Sequence, residues 1–115
     1  MEQKGISILA EYMNYQRELN KAKMAINSLA ARVDSFKIGK TGMTIEDRFA
    51  EPDYDGEYDY IDTVFISDDS DMVSRMEADL IETFKGYSNC ENIRTTDKDE
   101  MTESDEYSVY VVWKL

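Results

Sequence analysis

From residue 6 to residue 33 the chain contains neither proline nor glycine, and apolar side chains recur at Ile8, Tyr12, Tyr15, Leu19, Ala22, Ile26, Leu29 and Val33. The steps alternate four and three, the spacing of one helix face. A strand would scatter these side chains over both of its faces, so a helix of about 25 residues is predicted for the N-terminal segment. A seam this narrow has two uses. It can wind against a second copy of itself, or it can lie across the chain's own sheet as a core helix. In the first case Ile8, Tyr12, Tyr15, Leu19, Ile26 and Leu29 are the dimer contacts and a homodimer is the expected assembly.

Downstream the pattern changes. Val33 to Ile38 reads as a short strand and Gly39 to Gly42 as a turn, which leaves Lys40 and Thr41 as polar turn residues. Thr44, with Asp47 three residues on, reads as the N-cap of a short helix that Pro52 stops within two turns. Tyr60 to Ile66 is a strand of aromatic and β-branched residues. Ser70 or Asp71 caps a second helix, whose Val73, Met76, Leu80, Ile81 and Phe84 keep helical spacing until Gly86. Thr95 to Glu106 is a polar, acidic loop, and Tyr107 to Trp113 is a closing strand of unbroken β-formers. The expectation is an α+β fold: a small antiparallel sheet of three or more strands with packed helices, preceded by the long heptad helix. Residues 1–33 form the helix and residues 34–115 the α+β domain, since 115 residues support one modest core.

Charge is divided between these parts. Positions 1 to 32 hold five bases and three acids, so of the net −12 the remaining chain carries −14. From Glu46 to Asp71 there are eleven acids and one base. Such a field repels phosphate backbones and favours basic partners, so direct nucleic-acid binding is not expected. With no histidine, general bases and zinc sites built on imidazole are excluded, and any metal would be a hard ion held by carboxylates. The single Cys90 forms no internal disulfide, no leader-like N-terminus is evident, and no apolar run is long enough for a bilayer. A cytoplasmic protein with no membrane association is expected.

Glu77 follows Val73 by four residues and precedes Leu80 by three, so on a helix it points with the apolar face. A carboxylate there needs a partner, because burying an unpaired charge is costly. Arg48, on the short helix between Ile45 and Phe49, is the obvious one. The pair is either structural or part of a functional site.

Phe36-Lys37-Ile38-Gly39-Lys40-Thr41, then Arg48, then Glu77 within Ser74-Arg75-Met76-Glu77-Ala78-Asp79-Leu80-Ile81 on a helix that ends near an asparagine, resemble the GIY-YIG nuclease superfamily. The likeness runs from about residue 33 to residue 93 and is nearest the phage-associated branch whose second motif reads Lys-Ile-Gly-Lys-Thr. It implies that Glu77 ligates a divalent ion such as Mg2+, that Arg48 steadies phosphate charge, and that Lys37 stands where most members carry the second motif's tyrosine. The family's opening strand is replaced here by the long helix. Tyr107 to Trp113 looks like that strand moved to the C-terminus, a circular permutation that would bring Tyr110 near the first motif's tyrosine.

Two functions follow. The first is an acidic binding protein, without cofactor, on a GIY-YIG-like scaffold. It would present Glu51, Asp53, Asp55, Glu57, Asp59, Asp68, Asp69 and Asp71 to a basic protein partner, such as a defence enzyme that handles nucleic acid, in the cytoplasm of a bacterial host. The second is a Mg2+-dependent endonuclease using Arg48, Glu77, Lys37 and Tyr110, with Glu77 as metal ligand.

Overall fold

The computed structural model of the chain describes residues 3–92 and 101–115, with side chains from residue 8 onward. Among the described residues three helices and three strands alternate as α1 (Gln3–Ala30), β1 (Ser35–Thr41), α2 (Ile45–Phe49), β2 (Tyr60–Ser67), α3 (Ser70–Phe84) and β3 (Tyr107–Lys114). The α+β expectation holds. Of the acidic loop expected at Thr95 to Glu106, positions 95–100 lie outside the described residues. Among the described residues no helix is long and apolar enough to cross a membrane.

The sheet runs in the order β1-β3-β2, and β3 is antiparallel to both neighbours. The last strand in sequence is therefore the central one. Its unbroken run of β-formers fits that position, since six of its eight residues are buried and both of its faces are covered. The register sets Tyr110 opposite Gly39 on one side and Thr63 on the other, and pairing with β2 shifts between Thr63 and Phe65, a bulge at Val64.

Because strand side chains alternate, the register sorts residues between two layers. On one face Phe36, Ile38, Val109 and Val111 pack with Leu19 and Ile26 of α1 and with Val73, Leu80 and Phe84 of α3. On the other, Tyr110 and Val112 pack with Tyr54, Ile45, Phe49 and Ile61. The seam of α1 is accordingly shared out. Tyr15, Leu19, Ala22 and Ile26 are buried in the chain's own core and Leu29 packs against it, whereas Ile8 and Tyr12 are exposed. Of the six expected dimer contacts, Tyr15, Leu19, Ile26 and Leu29 thus serve the monomer, because the sheet and α3 offer them an apolar surface within the same chain.

Local chemistry explains the ends of the elements. Asn89 Nδ2 donates to the carbonyls of Ala30 and Val33 at 2.8 and 3.2 Å, closing off groups that the end of α1 leaves without helical partners. Thr44 caps α2 by accepting from the Asp47 amide at 3.1 Å, as expected. The cap of α3 is Asp69, one residue before Ser70, because its carboxylate reaches the amides of both Asp71 and Met72. Strand β1 extends through Lys40 and Thr41, which were expected in a turn; both are paired, to Val109 and Ser108.

Candidate functional site

Lys37, Gly39 and Thr41 share the sheet face of Tyr110, while Lys40 shares that of Phe36 and Ile38. The residues singled out from the sequence therefore fall into two clusters on opposite faces.

The first cluster is built around Tyr110, which is 1 % exposed. Its phenol crosses β1 over Gly39, where a Cβ would sit 2.4 Å from the ring and the hydroxyl. Only glycine leaves that path open. The Tyr110 and Tyr54 hydroxyls lie 2.8 Å apart, and Tyr54 is 3 % exposed. On α2, Ile45, Arg48 and Phe49 share the stripe facing the sheet, which delivers the Arg48 guanidinium to 3.9 Å from the Tyr54 ring centre and 5.9 Å from that of Tyr110. Lys37 Nζ stands 5.9 Å from the Tyr54 ring. Acids of the same chain already engage both terminal nitrogens of Arg48. Asp53 takes both terminal nitrogens at 2.9 and 3.0 Å, and Glu51 takes Nη1 at 2.9 Å.

The electrostatics follow from these contacts. Burial pushes the Tyr110 phenol well above the ordinary tyrosine value and raises that of Tyr54, so both are neutral at physiological pH. The hydrogen bonds from Arg48 hold the Asp53 carboxyl below its usual value, which keeps it ionised as the guanidinium's counter-charge. Tyr54 also senses the charges of Asp53 and Glu77, both of which raise it further, so the two clusters lie within electrostatic reach of each other.

The second cluster lies under α3. Glu77 is 2 % exposed, and Lys40 Nζ stands 3.9 Å from its Oε1 and 3.1 Å from Ser74 Oγ. Helical phase does bury Glu77, but the expected pairing with Arg48 is not the one that forms. Among the described residues Lys40 is a neighbouring cation, since it leaves β1 on the α3 face, while Arg48 lies across the sheet in the grip of Asp53 and Glu51. Among the described residues no three His, Cys, Asp or Glu side chains converge as a metal-holding group. The Lys40 ammonium, 3.9 Å from Glu77 Oε1, would compete with a divalent ion for that carboxylate.

The acids chosen as a partner surface divide by role. Glu51 and Asp53 hold Arg48, Asp69 caps α3, and Asp59 accepts from the Leu115 amide at 2.9 Å. Asp55, Glu57, Asp68 and Asp71 are exposed.

Sequence reasoning missed Tyr54 and Lys40. Tyr54 sits in a stretch of alternating acids, glycine and tyrosines that reads as solvated loop; the available signal was its spacing of four from Tyr58, whose ring meets it edge-on at 5.4 Å. For Lys40 the signal was parity with Phe36 and Ile38 along the strand. Compared with known proteins, the chain matches no family model, no curated protein and no solved structure.

Proposed function

We propose that the chain is an acidic binding protein on a GIY-YIG-like scaffold, without nuclease activity, acting on a basic protein partner that handles nucleic acid. One observation carries the reading: Asp53 and Glu51 hold both terminal nitrogens of Arg48 while Tyr54 covers its face. Where the resemblance calls for a guanidinium that meets phosphate, this chain supplies its own carboxylates. The net charge of −12, with Asp55, Glu57, Asp68 and Asp71 exposed, favours a cationic protein surface over a phosphate backbone. The reading carries with it the cytoplasm of a bacterial host and an anti-defence or regulatory role.

The second reading is the metal-dependent endonuclease. It draws on the gathering of Arg48, Lys37 and Tyr110 on one sheet face with Glu77 within electrostatic reach.

Incubation with plasmid and oligonucleotide DNA, with Mg2+ or Mn2+, separates the two. The binding protein neither retains nor cleaves DNA at physiological salt, and lowering the salt does not rescue retention, because weaker screening strengthens the repulsion. Its protein partner behaves oppositely, associating faster as salt falls and more slowly with Asp55→Asn, Glu57→Gln, Asp68→Asn and Asp71→Asn combined. Metal-dependent cleavage that is lost in Glu77→Ala, with the fold intact, would restore the nuclease.

A further inference from the structure

The seam of α1 buries its side chains from Tyr15 onward, yet the two turns before it do not. Ile8 is 65 % exposed, Leu9 58 %, Tyr12 56 % and Met13 56 %. At steps of three and four, Leu9 with Tyr12 and Met13 and Ile8 with Tyr12, these four are neighbours on the helix surface and make one continuous apolar patch. A helical end with no tertiary contact is marginal in water, because propensity alone seldom holds so short a segment. A contiguous apolar patch of this kind is likewise uncommon on a monomer.

We infer that this patch is the contact of a two-fold homodimer, in which Ile8, Leu9, Tyr12 and Met13 of one copy pack against the same residues of a second copy with the two α1 helices antiparallel. Three observations choose that occupant. Ile8 and Tyr12 continue the four-three seam, with Leu9 and Met13 beside them, so each copy offers the spacing that a second helix matches. The charge distribution leaves few other surfaces for self-association: positions 1–32 carry +2 and the rest of each chain −14, so two copies meet with least repulsion through this helix. The antiparallel direction carries the two acidic lobes to opposite ends, whereas a parallel pair would set them side by side. The inference stands apart from the binding reading, and neither depends on the other.

Sedimentation velocity over a rising concentration series tests it. The wild type is expected to approach twice the 13.3 kDa protomer mass. Tyr12→Glu with Met13→Glu is expected to raise the dimer dissociation constant at least about tenfold, by burying charges without partners. Both positions are exposed in the monomer, so circular dichroism should show the fold retained. Met24→Glu, 73 % exposed and three turns further along, leaves the dimer unchanged. Orientation is read from a spin label at Met24→Cys in a Cys90→Ser background. An antiparallel pair centred on the patch separates the two labels by roughly 40 Å at 1.5 Å per residue. A parallel pair brings them to roughly 10 Å. A wild type that stays monomeric, a dimer that survives the double glutamate substitution, or the short label distance would each overturn the proposal.

Discussion

Gly39 shows how one missing side chain shapes a site. It is paired with Tyr110 across β1 and β3, and the space its Cβ would take is filled by that tyrosine's phenol. The phenol can then reach the Tyr54 hydroxyl, and Tyr54 in turn provides the ring against which Arg48 lies. Gly39→Ala sets a methyl group 2.4 Å from a buried ring that is closely surrounded, so something must shift. The expected loss is about 1–3 kcal/mol, the usual range for overpacking. Urea unfolding of Gly39→Ala, Tyr110→Val and the double variant isolates the cause. With the ring gone, the alanine should cost less than about 1 kcal/mol, the ordinary strand preference. An alanine equally harmful in both backgrounds would mean that the glycine serves the backbone rather than the tyrosine.

At the scale of elements, α1 carries two kinds of apolar residue that spacing alone does not distinguish. Ile26 is fully buried between the sheet and α3, whereas Tyr12, on the same seam, is 56 % exposed. Ile26→Ala is accordingly expected to cost about 2–5 kcal/mol of monomer stability. Tyr12→Ala, measured below the concentration at which copies associate, should cost under about 0.5 kcal/mol. Equal losses would place the whole seam in one environment and contradict the division. The contrast also marks what was legible beforehand. The helix itself was, because an unbroken period needs no partner to be read, and so were the Thr44 cap and strand β3, whose signals lie within a few residues. The reach of β1 was not, because Lys40 and Thr41 become strand residues only through pairing with Val109 and Ser108, almost 70 positions away. The partner of Glu77 was hidden for the same reason. Its burial follows from helical phase, but the choice between Arg48 and Lys40 depends on which sheet face each occupies. Tyr54 was the least legible, since its burial comes from Tyr110 and Arg48 rather than from its acidic neighbours.

Across the whole molecule, tyrosine hydroxyls tie together segments that are distant in sequence. Tyr15 donates to Asp79 at 2.6 Å and joins α1 to α3, Tyr54 meets Tyr110 at 2.8 Å and joins the acidic segment to β3, and Tyr58 donates to Glu91. Burial is the leading cause raising all four phenols. In the unfolded chain a tyrosine ionises near pH 10, whereas a phenol raised by burial keeps its proton to higher pH. Its contribution to stability is therefore fully present below about pH 10 and is lost as the pH rises beyond that, because the unfolded state then gains by releasing protons that the folded state retains. Tyr110 is almost fully enclosed and should steepen the alkaline fall in stability by about 1.4 kcal/mol per pH unit, and the raised Tyr54 phenol acts in the same direction. Tyr110→Phe removes one share, so its slope should be shallower than that of the wild type, whatever its stability at neutral pH. A spectrophotometric titration gives the companion reading. Tyr54 and Tyr110 should keep their protons until the fold is lost. Equal slopes in the two proteins, or ionisation of Tyr54 and Tyr110 before unfolding, would show that the hydroxyl pair between the acidic segment and the central strand is open to water.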